Sequence, residues 1–356
     1  MTASFIIATA ALAGLFAHEP AGGGAAAPAR ASEACGGCHG AAFADWSGSG
    51  HASAWTSPLF RAGFKVEPRR FCVECHAGAD GAERAAEGIG CLGCHEARAA
   101  APAPAAPARS AGSRLPEKTI VADRACGAER PGHVAALRSR EELRSATACK
   151  DCHEFATPAF DDGAARMTSL PMQSTYSEWV AYRRAGGGET CQGCHMPQGR
   201  HVMSGAHDVE LLRGALAVAV SDGTLTITSV GVGHSFPTGD VFRHLTVEVR
   251  EVREVREVRE DGGAPGAWRV VARLGRRFDT RLDGETQLAR KVEMADTSLR
   301  PGEARVVRLP ATAKSWRVRY HYGSERDERR GLVPDSALFA TLAEGATHRT
   351  LGGGHN

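Results

Sequence analysis

The sequence predicts a two-part α+β chain, a mostly helical and irregular N-terminal part followed by an antiparallel β-sandwich-like part. Three observations predict it. All eleven cysteines lie at or before Cys194. From about residue 211 the cysteines stop, and short runs rich in Val, Leu and Thr alternate with turn residues. The length of 356 residues, at roughly 100 to 200 per domain, suggests two or three domains.

Residues 1–30 read as a leader. Phe5 to Ala17 is an apolar run of 13 residues, too short to span a bilayer and of the length of a signal-peptide core, with small residues after it. It departs from the usual pattern in having no Lys or Arg before Arg30. Residues 31–96 show little periodicity, so short helices and loops are expected. An Ala/Pro-rich segment, ARAAAPAPAAPAR at 97–109, opens a linker over 97–117 that should be extended and semi-rigid. The cysteine-bearing part resumes after it and ends near residue 210.

In residues 211–356, strands are expected at Ala215–Val220, Thr224–Val230, Leu245–Val249, Trp268–Leu274, Ala304–Leu309 and Trp316–Tyr320, with a closing helix over Ser336–Glu344. The fourfold VRE repeat across Val249–Glu260 fits neither period and reads as an expanded hairpin tip. Apolar residues are 42%, charged residues 24% and the formal net charge is +2, which excludes disorder throughout and disfavours a nucleic-acid partner. No later segment reaches 18 apolar residues, so no stable membrane span is expected.

Ten of the eleven cysteines form five CxxC pairs, each followed directly by a histidine. They are Cys35/Cys38 with His39, Cys72/Cys75 with His76, Cys91/Cys94 with His95, Cys149/Cys152 with His153, and Cys191/Cys194 with His195. Random order would give about 0.01 such pentapeptides. CxxCH is the attachment motif of c-type haem: two thiols add to the two vinyl groups of one porphyrin, and the abutting imidazole is held under the iron. Zinc ribbons do not need that histidine five times, and five pairs would leave one unmatched. Adjacent CxxC loops are also poor members of a structural disulfide framework. Five covalent haems c are expected, and the N-terminal part becomes a haem-packed, pentahaem cytochrome c domain over residues 31–210. Attachment of c-type haem takes place outside the cytoplasmic membrane, so the chain should be exported to the periplasm or cell surface.

Each iron has one position left after the porphyrin and the motif histidine. The candidates to fill them are His51, His133, His201, His207 and His234, several of which have glycine neighbours that let the backbone approach a flat macrocycle. His18, His244, His321, His348 and His355 are read as ordinary surface or core residues. Met196 adjoins His195 and cannot reach the opposite face of the same haem, while Met167, Met172 and Met203 are expected to pack on porphyrin edges. Cys126, the odd thiol, is read as a buried free cysteine.

The segments CGGCHGAAFADWSGSGHASAW (35–55), SEWVAYRRAGGGETCQGCHMP (177–197) and HVMSGAHD (201–208) resemble the multihaem cytochromes c of the c-552/4 type, related to the tetrahaem carriers of nitrifying bacteria. GHSFPTG (233–239) is similar to a segment of multihaem cytochromes with a β-rich C-terminal domain. The resemblance implies that His51 and His207 are distal ligands, often of a haem other than the nearest in sequence. It differs from the best-known relatives in having five motifs where they have four. None is the CxxCK variant that marks the catalytic haem of pentahaem nitrite reductases, which disfavours that chemistry.

The expected function is electron transfer between redox partner proteins, a quinone-linked donor and a terminal acceptor or reductase, more than catalysis. One alternative is an oxidoreductase with one open-site haem acting on a small nitrogen or sulfur compound. Another is a docking or filament-forming cytochrome that uses its C-terminal domain, and His234 discriminates: a ligand role would build the sheets into the haem array.

Overall fold

The computed structural model describes residues 31–66, 68–77, 86–96, 138–161, 164–251, 266–282, 289–331 and 333–347. The leader, the linker, Cys126, His133 and most of the VRE repeat lie outside these residues.

The N-terminal part is built from short helices: α1 (Ala31–Gly36), α2 (Gly40–Ser47), α3 (Pro58–Val66), α4 (Arg70–His76), α5 (Cys91–His95), α6 (Arg140–Arg144) and α7 (Thr147–His153). Local chemistry sets their ends. Pro58 sits at the first position of α3, where no N–H is needed. Ser139 and Glu142 form a reciprocal capping box on α6. Trp46 of α2 is buried and donates its indole N–H to the Ile89 carbonyl at 2.8 Å, tying the first motif region to the third.

A hairpin that the sequence reading missed follows, β1 (Glu154–Asp161) paired antiparallel with β2 (Ala164–Ser174). Then come α8 (Thr175–Arg184), α9 (Cys191–His195) and α10 (Val209–Gly214). Asp208 caps α10, accepting from the Leu211 N–H at 3.1 Å.

The remaining strands are β3 (Leu216–Ser221), β4 (Thr224–Ser229), β5 (His244–Glu251), β6 (Trp268–Leu282), β7 (Ala289–Asp296), β8 (Ala304–Arg308), β9 (Ala313–His321) and β10 (Phe339–Ala346), with α11 (Glu325–Arg330) between the last two. They form two antiparallel sheets, β10-β9-β5-β6-β7 and β3-β4-β8. The layout is therefore α+β, helices with antiparallel sheets, and all six expected strands are present. Their apolar alternation produces one core: Leu225 and Ile227 from the smaller sheet meet Leu245, Val247, Val249 and Val318 from the larger.

The expected helix over Ser336–Glu344 is a correction. Only a 3-10 turn at Asp335–Ala337 forms, and Phe339–Ala346 is strand β10, paired with β9 from Phe339↔His321 to Ala346↔Ser315. The segment is rich in Ala and Leu, good helix formers. The unpaired edge of β9 supplies backbone partners that outweigh that local preference, and Leu342 is buried in the sandwich core. Strand β7 was also missed.

Strand β5 is buried on both faces. Leu245, Val247 and Val249 point into the core, whereas His244, Thr246 and Glu248 lie under 5% exposed on the opposite side. There Glu248 is paired with Arg317 at 2.6 Å, and His321 meets Glu328 of α11.

Candidate haem-binding site

Four of the five CxxCH motifs end a short helix: α4, α5, α7 and α9. Helical spacing puts the two thiols, three residues apart, and the following imidazole on one face. The first motif does the same through a turn, in which the Cys38 and His39 N–H groups both donate to the Cys35 carbonyl, at 3.1 and 2.9 Å. These helices surround a cavity of about 3690 Å³, against about 300–1,000 Å³ for an ordinary small-ligand pocket. Its walls include all five motif histidines and at least one cysteine of every motif, together with His51, His201, His207 and His234.

Three histidine pairs face one another within it. The ring centroids of His95 and His201 are 6.1 Å apart, those of His195 and His234 6.2 Å, and those of His51 and His153 6.3 Å. Two imidazoles on opposite sides of one metal, with bonds of about 2 Å each, have ring centres about 6 Å apart. Each pair joins one motif histidine to one histidine from outside the motifs. The rings are near parallel in the first two pairs, at 19° and 8°, and turned by 57° in the third.

The tautomers suit the same use. Nδ1 of His76 donates to the Ala54 carbonyl at 3.1 Å, Nδ1 of His195 to that of Ser204 at 2.5 Å, and Nδ1 of His234 to that of Ser235 at 2.9 Å. A carbonyl only accepts, so Nε2 carries the lone pair in all three, the arrangement that orients ligating imidazoles in metal sites. Burial favours the neutral form of six of the cavity's histidines: it pushes His153 and His234 down to about 4, and moves His51, His76, His95 and His207 in the same direction.

Of the five candidate distal histidines, His51, His201 and His234 thus stand opposite motif histidines. His207 lines the cavity with its ring 4.9 Å from that of Tyr322, and His133 lies outside the described residues. No ring pair at the 6 Å separation involves His39 or His76 among the described residues; Phe60 lies flat on His76 at 3.9 Å. Met203 contacts Nδ1 of His51 through its sulfur at 2.6 Å, and Met196 caps the end of α9. His244 and His321 lie away from the cavity walls.

Sequence reasoning missed the residues that hold these histidines. Asp45 on α2 accepts from the backbone N–H of His201 at 3.1 Å and from Arg200 at 2.6 Å, which holds its carboxyl below the usual range. Glu178 on α8 accepts from the Ser235 N–H at 3.2 Å and the Thr238 hydroxyl at 2.7 Å, fixing the loop that carries His234. Arg243, at the foot of β5, lines the cavity beside Tyr320. Asp45 and Glu178 both lie inside the segments that carried the family resemblance.

Residues 34–96, with the first three motifs, match the family model described as "Cytochrome c554 and c-prime". This segment is similar to the cytochrome c554 family. The CxxCH motifs within this segment have the spacing that covalent attachment of haem c requires. In fold, most of the chain is similar to a penta-heme cytochrome c552 from Thermochromatium tepidum. The TM-score is 0.57 with 21% identity, over 89% of this chain and 98% of that one. No curated protein matches the sequence. Segment match and fold likeness agree with the resemblance read from the motifs, to multihaem cytochromes c of the c-552/554 type.

Proposed function

We propose that the chain is an exported c-type cytochrome that carries electrons through five covalently attached haems. Cys35, Cys38, Cys72, Cys75, Cys91, Cys94, Cys149, Cys152, Cys191 and Cys194 would form the thioethers, with His39, His76, His95, His153 and His195 as proximal ligands. The observation that carries the reading is the set of three imidazole pairs at 6.1 to 6.3 Å across one shared cavity. They support His201, His234 and His51 as the distal ligands opposite His95, His195 and His153.

Bound haem supplies a one-electron Fe(III)/Fe(II) couple. The chain's own part is to hold the imidazoles neutral, fix their tautomers and bring the attachment points together. The thiols of Cys35 and Cys91 lie within hydrogen-bond reach, as do those of Cys149 and Cys191, and Cys94 neighbours Cys149. This supports an electron route ordered first, third, fourth, fifth motif. Two-His ligation sets low potentials relative to a His/Met pair, which suits exchange with redox partner proteins at the periplasmic or cell-surface side. Among the described residues no helix is long and apolar enough to cross a membrane.

His234 sits on the loop before β5 and faces His195, which favours sheets built into the haem array over an appended docking module. The division at residue 210 is then one of secondary structure, with the cavity shared between the two parts. A second reading, one open haem acting on a small nitrogen or sulfur compound, is favoured by His207, Tyr320 and Arg243 on the same wall. Intact mass and low-temperature EPR of the purified holoprotein test both. Five haem mass increments with at least three low-spin bis-imidazole signals support the first reading. A high-spin iron that binds and turns over nitrite or hydroxylamine supports the second, and wholly high-spin iron overturns the first.

A further inference from the structure

We propose that His244, His321 and Glu328 bind one divalent transition-metal ion of the zinc class, apart from the haem cavity. His244 and His321 are register partners on β5 and β9, with near-parallel rings whose centroids lie 4.3 Å apart. They are 1% and 4% exposed. Glu328 projects from α11 onto them, and one ligand atom from each of the three lies within 4.8 Å of the others.

The hydrogen bonds fix where the lone pairs point. Nδ1 of His244 is 2.8 Å from the Phe242 carbonyl, which can only accept, so the ring's lone pair is on Nε2. Glu248 is ion-paired with Arg317 at 2.6 Å and takes the single hydroxyl proton of Thr246 at 3.0 Å. Thr246 Oγ1 is then an acceptor toward Nε2 of His321, 2.9 Å away, so this nitrogen donates. The other nitrogen, Nδ1, faces a carboxylate oxygen of Glu328 at 2.5 Å.

A neutral imidazole lone pair and a carboxylate are two acceptors, and two acceptors cannot meet at that distance without a cation between them. The cation is a proton or a metal ion. Three features select the metal. A ring nitrogen of His244 lies within 4.8 Å of both other ligand atoms and gives a third donor close by. The Phe242 carbonyl and the Thr246–Glu248 relay supply the outer hydrogen bonds that ligating histidines ordinarily have. Two imidazoles and one carboxylate are the donor set of zinc sites with an open fourth position, and imidazole disfavours magnesium and calcium. Donors around such an ion stand about 3.4 Å apart, so the three must shift on the order of an ångström. Glu328, the most exposed of them with a 27% exposed side chain, can move.

The test uses the full-length holoprotein, freed of loose metal by chelator and dialysed against Zn(II). Metal analysis is expected to give one zinc per chain beyond the haem iron. Zinc-edge X-ray absorption should show two imidazole nitrogens among its nearest neighbours. Glu328→Gln and His244→Gln should each weaken zinc binding by roughly 100-fold or more, with haem content and visible spectrum unchanged. Should the variants fail to fold, the absorption measurement on the unaltered protein decides alone. Substoichiometric zinc, a zinc shell without imidazole, or zinc retained equally by both folded variants would each overturn the assignment and leave the proton as the bridging cation.

Discussion

Glu178 on α8 and Ser235 on the loop before β5 are joined by a 3.2 Å hydrogen bond from the Ser235 backbone N–H to the Glu178 carboxylate. The bond links a helix of the cysteine-bearing part to the residue after His234. Thr238 and Ser174 add hydroxyl donors at 2.7 and 3.3 Å.

Burial raises the Glu178 pKa, and this outweighs those three donors. The folded state therefore keeps its proton at a pH where the unfolded chain, near the ordinary value of 4.5, has released it. Stability falls as pH rises from there through the folded value and is level above it. Glu178→Gln should remove this slope while its amide oxygen still accepts from the loop. Denaturation of holoprotein and variant at a series of pH values checks it, and parallel curves would refute the assignment.

His234→Met should raise the midpoint potential of one haem while leaving the others in place, because a thioether favours reduced iron relative to imidazole. Redox titration followed in the visible spectrum measures it. An unchanged set of midpoints would mean that His234 is not a ligand.

Gly88→Ala should displace His51. Gly88 has φ of +65°, and a Cβ there would collide with the His51 carbonyl oxygen, which also accepts from the Ile89 N–H at 2.8 Å. The expected result is the loss of one low-spin EPR signal with all five haems still attached by mass.

Ile227→Ala is predicted to cost about 2–5 kcal/mol by leaving a cavity between the two sheets, since Ile227 is fully buried in the shared core. Chemical denaturation should show it, with the haem spectrum of the folded variant unaltered.

The last third was largely legible because its strands alternate. Leu225 and Ile227 repeat every second residue, a period only a half-buried strand requires. β10 was not legible, since Ala and Leu in Ser336–Glu344 carry no record of the β9 edge beside them. Pro158 and Pro171 obscured the β1–β2 hairpin. Within the cavity, the motif residues were evident from spacing alone. Their pairing was not, because His95 and His201 are brought together by Asp45 on a third element, a relation with no sequence period.

The placement of His234 bears on biogenesis. A chain that emerges N-terminus first presents Cys191, Cys194 and His195 well before the opposing imidazole. That imidazole lies on a loop leading into β5, which in turn pairs with β9 ending at His321. On the proposed ligation, the fifth iron would acquire its last bond only after nearly the whole polypeptide has crossed the membrane. A truncated product would then be coloured but not fully ligated, giving a quality-control stage a spectroscopic mark by which to recognise it.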